Sequence, residues 1–526
     1  MSRFTRRECL SGVVSIALGA GLAGCGGSSD DDAAPPNVLA TAPANAATNV
    51  LNTSKVSATF DQAIDPATLK NANFRVNCPA GADPFGSVSY DPSTRTATFV
   101  RITESPTNLP QSEVAEPMAA NVICTATITT GVKAVNGAAL AQNVTWSFST
   151  ITDTAFLAQG QKIFRFDTFG DETTWTDTLH MNDVIAAAVD PTTALAVGLK
   201  VDAEALPASV VAGIRNGSIS LTDPATTIAL ISLDAVVGIK GTVRNIDGRN
   251  TLTRVGITCA LCHSTVDNAF APGIGKRLDG WPNRDLNPGA IIALSPALTA
   301  AQITVYNSWG PGFYDPRYNI DGLNGPQVIS PAYGLQNVRK IIATGDGDDL
   351  AYWNRYVGVT QMGGHGNFTD ARIGTHGVNI TNGAEDLITA KLPALQAYQL
   401  SIAAPVAPAG SFDMAAAARG KALFSGKAGC AGCHSGPEFT DANQRLHAAS
   451  EVPSEPEAPG VPSYASRTAT RMYRTAPLKG VWQHPPYFHN GSAATLVDVV
   501  DRYNVKGSLG LTHAEVADVA QYLKSL

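Results

Sequence analysis

The feature that most constrains this chain is a pentapeptide, Cys-x-x-Cys-His, which occurs at residues 259–263 and again at residues 430–434. Two thiols at this spacing can form thioether bonds to one haem, and the adjacent histidine can ligate its iron. A thiol–disulfide pair or half of a zinc site would also use Cys-x-x-Cys, but neither explains the histidine in both copies. Each copy therefore predicts a covalently attached haem c. The predicted attachment residues are Cys259, Cys262, Cys430 and Cys433, and the predicted proximal iron ligands are His263 and His434.

The remaining cysteines bear on the cellular compartment. Cys78 and Cys124 lie in a segment of strand-like sequence, and they form either a disulfide, which requires an oxidising compartment, or two buried thiols. Cys25 follows an arginine-rich start and an apolar run, residues 13–22, that is short for a bilayer span of about 20 residues. This leader resembles a bacterial lipoprotein signal. The resemblance implies that residues 1–24 are removed and that a lipid on Cys25 anchors the protein to a membrane, in the periplasm or at the cell surface. An ordinary signal peptide and an uncleaved anchor are the alternatives.

Composition limits the partners and the number of domains. With 526 residues, 44% of them hydrophobic, the chain has room for several domains with their own cores. A net charge of −7 without a basic stripe argues against nucleic acid as a partner. Residues 25–36 are small, polar and charged, which predicts a flexible tether.

Residues 37–150 carry the pattern of a β-sandwich. Short runs, such as residues 55–60 and 144–148, alternate between apolar and polar side chains and are separated by turn residues. The stretches Phe60–Ile64 and Trp146–Thr150 make this segment resemble bacterial Ig-like domains. It contains no catalytic cluster, so we expect a spacer or a docking module.

The rest of the chain contains an internal repeat. Gly160–Phe164 matches Gly420–Phe424 ahead of the two motifs, and each half ends in a similar helical pattern. The repeat predicts two mainly α cytochrome c-like domains, at residues 155–402 and 411–526, which makes the chain a multidomain protein. The first domain has a large insertion before Cys259, including a predicted helix over residues 181–189. That insertion could cover the first haem, shape a pocket or serve only in packing.

The tandem motifs, together with Thr475–Gly480 and Pro486–Gly491, resemble the bacterial dihaem cytochrome c peroxidase and MauG-like superfamily over residues 155–526. This resemblance implies a six-coordinate C-terminal haem for electron transfer and an N-terminal haem that can open toward peroxide or oxygen. The distal residue of the C-terminal haem would lie fourteen positions after His489, at Tyr503. A tyrosine there is the MauG-like choice, whereas peroxidases carry methionine.

Other interpretations of these residues stay open. Tyr503 could instead be a core tyrosine, with Met472 or His484 as the ligand of the second haem. His489 is expected to orient a haem propionate or to support the contact between the haems, whichever residue is the ligand.

The first haem has no evident distal ligand in the sequence, because the repeat aligns Val357 with Tyr503. In the nearby glycine-rich loop, His365 is a candidate catalytic acid or base, and His365 or Met362 could ligate the iron. The alternative is that His365 is a structural histidine. Residues 345–349 are acidic enough to suggest calcium, but they lack an EF-hand pattern, so we expect a solvated turn with calcium as the alternative.

These features predict extracytoplasmic electron transfer between the haems and a redox partner protein or a small-molecule acceptor. The alternative function is that of a peroxidase or MauG-like oxidase with the first haem as its reactive centre.

Overall fold

The computed structural model of the protein describes residues 34–79, 81, 86–102, 115–347, 349–370, 374–377, 385–455, 460 and 462–526. The predicted signal peptide, Cys25 and residues 25–33 of the predicted tether lie outside these ranges. Within the described part of the chain, no helix has both the length and the apolar character needed to cross a bilayer.

The N-terminal part of the described chain folds into two four-stranded sheets. The strands are β1 (Val38–Ala42), β2 (Ala47–Leu51), β3 (Val56–Phe60), β4 (Phe74–Asn77), β5 (Gly86–Asp91), β6 (Thr96–Arg101), β7 (Ile123–Ile128) and β8 (Val144–Ile151). One sheet has the order β1-β3-β6-β5 and is antiparallel. The other has the order β2-β8-β7-β4, in which the β2–β8 pair is parallel and the others are antiparallel. The predicted Ig-like β domain is confirmed.

Alternation along the strands turns one face of each sheet into a shared core. In β3, Val56, Ala58 and Phe60 are buried, while the residues between them are partly exposed. Phe74 of β4 and Phe99 of β6 lie in different sheets, and their ring centroids are 5.9 Å apart. The two sheets therefore interdigitate through large side chains, as in a sandwich.

A disulfide joins Cys78, directly after β4, to Cys124 in the neighbouring strand β7. This confirms the disulfide interpretation, and the alternative of two buried thiols is wrong. A disulfide is stable in an oxidising compartment and rare in the cytosol.

Two units rich in helices follow the sandwich, and each contains one Cys-x-x-Cys-His motif. The first unit consists of α1 (Thr154–Phe166), α2 (Met181–Ala188), α3 (Pro191–Ala196), β9 (Val201–Asp202), α4 (Ala208–Asn216), α5 (Pro224–Ser232), β10 (Ile239–Ile246), β11 (Arg249–Ile257), α6 (Ala260–His263), β12 (Ser264–Val266), β13 (Ile274–Gly275), β14 (Arg277–Asp279), α7 (Pro288–Ile292), α8 (Ala300–Asn307), β15 (Phe313–Tyr314), α9 (Tyr318–Asp321), β16 (Gln327–Val328), α10 (Leu350–Thr360), β17 (Asn367–Asp370), β18 (Gly374–Gly377) and α11 (Leu392–Ser401). The second unit consists of α12 (Met414–Ser425), β19 (His447–Ala448), β20 (Met472–Tyr473), α13 (Leu496–Gly507) and α14 (His513–Lys524).

The insertion of the first unit, between Phe164 and Cys259, forms a small core of its own. The predicted helix at residues 181–189 is present as α2, and α2 and α5 pack against the long hairpin β10–β11. Ile231 of α5 and Leu252 of β11 are almost fully buried in this cluster. The prediction of a mainly α architecture is therefore incomplete for the first unit, because the hairpin carries the chain directly into the first motif.

Direct contacts join the sandwich to the first unit. The Asp153 carboxylate caps the N-terminus of α1 and accepts a hydrogen bond from Thr53 Oγ1 at 2.6 Å. The Asp153 N–H donates to Asn52 Oδ1 at 2.9 Å, and Gln396 of α11 donates to Glu116 at 3.0 Å. These bonds set the start of α1 against the sandwich.

Candidate haem sites

Both motifs lie on short helical turns. The first occupies α6, two residues after β11 ends at Ile257. The second begins in a 3₁₀ turn, Cys430–Gly432, and Gly429 has a φ of 66°, which favours glycine and bends the chain into the turn. On a helix, residues three and four positions apart share a face. Both cysteines and the histidine of the first motif therefore lie on one face of α6.

The motif cysteines differ from the sandwich cysteines in their chemistry. All four are free thiols, whereas Cys78 and Cys124 are joined. Burial raises the pKa of the Cys259 and Cys262 thiols to about 12, and it also raises the pKa of Cys430. A thiol with a raised pKa is a poor nucleophile at neutral pH, which argues against a redox-active dithiol at Cys259 and Cys262.

The two motif histidines have matching environments. Nδ1 of His263 lies 3.0 Å from the Ser330 carbonyl oxygen, and Nδ1 of His434 lies 3.0 Å from that of Phe439. A carbonyl oxygen only accepts, so each Nδ1 carries the hydrogen and each Nε2 keeps its lone pair. Burial lowers the pKa of both imidazoles, which are therefore neutral at neutral pH. A neutral imidazole oriented by a carbonyl is the usual form of a metal-ligating histidine.

The repeat recognised in the sequence is a pair of equivalent helix crossings. A Cβ on Gly160 of α1 would lie 2.0 Å from the Ala394 carbonyl oxygen of α11, and one on Gly420 of α12 would lie 2.0 Å from the Asp518 carbonyl oxygen of α14. Only glycine permits backbones to approach this closely. An aromatic pair lies one turn further along each crossing, Phe164 with Tyr398 at 5.7 Å and Phe424 with Tyr522 at 5.2 Å between centroids.

Tyr503, the predicted distal ligand of the second haem, lies on α13 beside the second motif. Its side chain is 38% exposed, yet surrounding protein and the Cys430 and Cys433 thiols raise its pKa to about 12. The ring centroid of Tyr503 lies 6.1 Å from that of Phe488. The phenol therefore lies beside Phe488 and near the thiols of the second motif.

The first unit presents different residues at the corresponding place. Val357 of α10 has no ligating atom and packs against the core. Tyr314 lies close enough to Cys262 for that thiol to add to the burial that raises the pKa of Tyr314 well above its ordinary value. The Tyr314 hydroxyl donates to Gln361 Oε1 at 2.6 Å, and Gln361 Nε2 donates to the Pro316 carbonyl at 2.7 Å. A hydrogen-bonded tyrosine–glutamine pair therefore adjoins the first motif.

His365 makes contacts typical of a structural histidine. Its Nε2 lies 3.2 Å from Thr173 Oγ1, and its backbone N–H donates to the Phe169 carbonyl at 2.8 Å. Met362 is 4% exposed in the core of the first unit, and its carbonyl accepts from the Trp175 indole at 3.1 Å. A catalytic or ligand role for His365 stays a prediction.

His489 lies between the two units, in a buried polar cluster. Its ring stacks on Tyr473 at 4.9 Å between centroids, and Nε2 lies 3.4 Å from Glu455 Oε1. Its carbonyl accepts from the Val328 N–H of the first unit at 2.9 Å. This placement suits a role in joining the units, and orientation of a propionate stays a prediction.

The two other ligand candidates of the second haem have different surroundings. His484 lies between Tyr333 and Tyr487, and burial, helped by the positive charge of Arg284, lowers its pKa to about 3. Met472 is part of the short β19–β20 pair. Their ligand roles stay predictions.

Aromatic side chains connect the two units next to the first motif. The Gly280 N–H donates to the His263 carbonyl at 2.8 Å, and the next residue, Trp281, meets Trp482 of the second unit edge to face at 6.0 Å between centroids. Trp281 also meets Tyr333 at 6.5 Å. These contacts connect the backbone of the first motif with the second unit.

The acidic turn at residues 345–349 already has partners for its described carboxylates. Asp346 is ion-paired with Arg317, and Asp349 caps the N-terminus of α10. The two aspartates are 6% and 7% exposed, so the expectation of a solvated turn is wrong for them. Asp348 lies outside the described residues.

The donor sets fit covalently attached haem. Each motif offers free thiols and a neutral imidazole whose Nε2 retains its lone pair, and haem c uses those groups for attachment and for the proximal bond. Sequence analysis missed several side chains around the motifs, because single residues of these types carry no spacing signal. They are Trp281, Arg284, Tyr314, Arg474 and Trp482.

Comparison with known protein families identifies both ends of the chain. Residues 32–150 match the bacterial Ig-like domain model, and residues 472–504 match the model described as RoxA-like, cytochrome c-like. The second match includes Tyr503, and the first includes the whole two-sheet region.

Curated relatives are cytochrome c peroxidases and MauG. Cytochrome-c peroxidase IdrP1 of Denitromonas iodatirespirans is 33% identical over 151 residues, which cover 21% of this chain and 40% of the relative. Methylamine utilization protein MauG of Methylorubrum extorquens is 40% identical over 95 residues, which cover 17% of this chain and 25% of the relative. The chain thus spans less than half the length of these two relatives.

A solved structure of a MauG-like protein associated with microbial copper homeostasis is 23% identical to the chain, with a TM-score of 0.21, and the match covers 29% of this chain and 60% of that one. The sequence relatives and the two family models agree with the paired motifs and with the sandwich. The chain is thus similar to bacterial Ig-like domains over residues 32–150 and, over part of the remainder, to cytochrome c peroxidases and MauG.

Proposed function

We propose that the protein is a dihaem c-type cytochrome that transfers electrons outside the cytoplasm. The observation that carries this proposal is the matching pair of motif histidines, each neutral and each oriented by a backbone carbonyl. When bound, haem supplies a one-electron iron couple and, where a coordination position is open, a site for peroxide or oxygen. The thiols of each motif would attach it, and His263 and His434 would hold its iron.

The aromatic contact between the units supports electron exchange. Trp281 follows the residue that bonds to His263, and it touches Trp482, so aromatic side chains connect the first motif with the second unit. The redox partner would be another protein or a small-molecule acceptor, and we expect no nucleic acid partner because the chain is acidic.

The Cys78–Cys124 disulfide supports a location in the periplasm or at the cell surface. A lipid on Cys25 would anchor the protein to a membrane there, and the sandwich would act as spacer or docking module.

Tyr503 is proposed as the distal ligand of the second haem. Its ring lies beside the second motif, and a phenolate is a hard anionic donor that favours ferric iron. We expect Tyr503→Phe to raise the reduction potential of one haem and to change its ferric optical spectrum. Tyr522→Phe is the matched control, since Tyr522 is a buried tyrosine of the same unit that packs on Phe424. Equal spectra for Tyr503→Phe and the unmodified protein would exclude the ligand role.

A second candidate function, that of a peroxidase or MauG-like oxidase, is favoured by the first unit. Val357 offers no ligand there, while the Tyr314–Gln361 pair places a hydroxyl and an amide beside the first motif. Such groups can hydrogen-bond to a small oxygen species and hold its proton. His365 is a further candidate acid or base.

One experiment decides between the two functions. The purified ferric protein is examined by EPR and optical spectroscopy, and peroxide is then added to the same sample. Two low-spin haems with no response to peroxide support electron transfer alone. One high-spin haem that responds to peroxide supports the catalytic candidate, and a response that weakens in Tyr314→Phe assigns it to the first unit. A protein without covalently bound haem would contradict both.

A further inference from the structure

Five arginines among the described residues have buried guanidinium nitrogens without a hydrogen-bond partner: Arg277, Arg284, Arg317, Arg355 and Arg474. Three of them face a carboxylate of the protein. Arg277 pairs with Asp202 at 3.1 Å, Arg317 pairs with Asp346, and Arg355 feels the charge of Asp386. The remaining two, Arg284 and Arg474, have no ion pair with any described residue, although a buried cation is costly without a counter-charge.

Arg284 belongs to the first unit and reaches the second. Its Nη2 donates to the His484 carbonyl at 3.0 Å, while Nε and Nη1 are buried without a partner. Burial lowers the pKa of Arg284 to about 10, although the nearby Tyr333 and Tyr487 hydroxyls act in the opposite direction. The guanidinium therefore keeps a proton at neutral pH and lacks an anion to offset its charge.

Arg474 is the counterpart in the second unit. Its Nη1 donates to the Lys340 carbonyl at 2.6 Å and its backbone N–H to the Ala343 carbonyl at 2.8 Å, both in the first unit. Nε is buried without a partner, and burial lowers the pKa of Arg474 to about 10. Each arginine thus bonds across the boundary between the units with part of its guanidinium group.

Both arginines adjoin backbone that contacts a motif. The residue before Arg284 is Asn283, whose N–H donates to the Cys262 carbonyl at 2.9 Å. Two residues after Arg474, Ala476 forms a backbone hydrogen bond with His434. Each motif therefore has one arginine without a counter-charge near it, Arg284 at the first motif and Arg474 at the second.

We propose that Arg284 and Arg474 bind the propionate carboxylates of the first and the second haem, respectively. The proposal rests on the proposed function, because it requires haem at both motifs. A guanidinium group donates strong, charge-assisted hydrogen bonds to a carboxylate, and Arg284 has two nitrogens, Nε and Nη1, that are free to do so. Since both arginines also bond to the opposite unit, haem attachment would fix the two units against each other.

The test measures the reduction potential of each haem in the haem-loaded full chain. In Arg284→Gln, loss of a positive charge beside the first haem stabilises its ferric state. We expect the ferric-to-ferrous ratio of that haem at a fixed potential to rise about tenfold, equivalent to a fall of about 59 mV. The second haem should respond in the same way to Arg474→Gln. Arg254→Gln and Arg419→Gln, which alter exposed arginines paired with Asp177 and Asp518, should shift neither haem.

Haem content is measured first, so that the two failures can be told apart. A wild-type protein without two covalent haems overturns the proposed function. With both haems present, an Arg284→Gln shift no larger than that of Arg254→Gln overturns the propionate assignment, and so does a shift confined to the second haem. If Arg284→Gln does not retain haem, Arg284→Lys is measured instead. It keeps the positive charge and loses the planar set of guanidinium donors. In Arg284→Lys, a fall of less than about 59 mV in the reduction potential of the first haem supports the proposal, and an unchanged potential overturns it.

Discussion

The two helix-rich units share the framework around their Cys-x-x-Cys-His motifs and differ in the side chains beside it. In both units a glycine brings two helices into backbone contact, and a carbonyl orients the motif histidine. Tyr503 lies beside the second motif, whereas the Tyr314–Gln361 pair adjoins the first and the aligned Val357 packs against the core.

This difference indicates which parts of the repeat are free to diverge. Helix crossings depend on backbone contact, so they tolerate little change. Positions near the motifs can differ without changing the crossings, as the aligned pair Tyr503 and Val357 does. The insertion of the first unit adds a separate hydrophobic cluster without disturbing the crossing of α1 and α11.

Removal of one motif at a time has the largest expected effect on the comparison. We expect Cys259→Ala/Cys262→Ala to lose the first haem and Cys430→Ala/Cys433→Ala to lose the second, so that each variant keeps about half of the absorbance per protein. Pyridine haemochrome spectra measure the content. Cys78→Ala/Cys124→Ala is the control, since it removes a cysteine pair that has no histidine beside it. Loss of both haems from either motif variant would contradict independent units.

The helix crossings come next in size. Gly160→Ala and Gly420→Ala each introduce a Cβ 2.0 Å from a carbonyl oxygen, so the helices must separate. We expect each to lower the free energy of unfolding by about 3 kcal/mol. Thermal and denaturant unfolding, followed by the haem absorbance of each unit, measures the loss. A loss in one unit alone would show that the crossings are not equivalent.

Sequence patterns predicted the parts that repeat or alternate. Strand alternation identified the sandwich, and matching segments such as Gly160–Phe164 and Gly420–Phe424 identified the helix that precedes each motif. The motifs themselves identified the thiols and the histidines.

Contacts between residues that are far apart in the chain could not be predicted from the sequence. The acidic turn looked solvated because Arg317, which neutralises Asp346, lies 29 positions earlier in the chain. Tyr314 and Arg284 come from loops of irregular structure, where no period marks a buried side chain. The hairpin β10–β11 was hidden inside an insertion whose only recognised element was a helix.

Asp171 should make the stability of the first unit depend on pH. It lies in the insertion, to which no segment of the second unit is aligned. Burial raises its pKa from an ordinary value of 3.8 to about 9. The folded state therefore holds a proton that the unfolded state releases, and stability falls as pH rises from about 4 to about 9. Asp171→Asn cannot ionise and still accepts from the Ile257 N–H, so we expect a flatter profile and the largest gain near pH 9.

Thermal unfolding of the haem-loaded protein across this pH range measures the effect. Asp177→Asn is the matched control, because Asp177 belongs to the same insertion and its side chain is 53% exposed. Parallel profiles for Asp171→Asn and the unmodified protein would show that the carboxyl is ionised when folded.

Calcium should have the smallest effect on either unit. At the acidic turn of the first unit, Asp346 is already neutralised by Arg317, and the Asp349 carboxylate accepts from the Tyr352 N–H at 2.7 Å. A calcium ion would have to displace the buried guanidinium, which would leave that cation without its partner. We therefore expect the melting temperature to be the same in calcium and in EGTA. A calcium-dependent rise in the melting temperature that disappears in Asp349→Asn would place the ion at this turn. The first unit would then differ from the second in a metal site as well as in the side chains beside its motif.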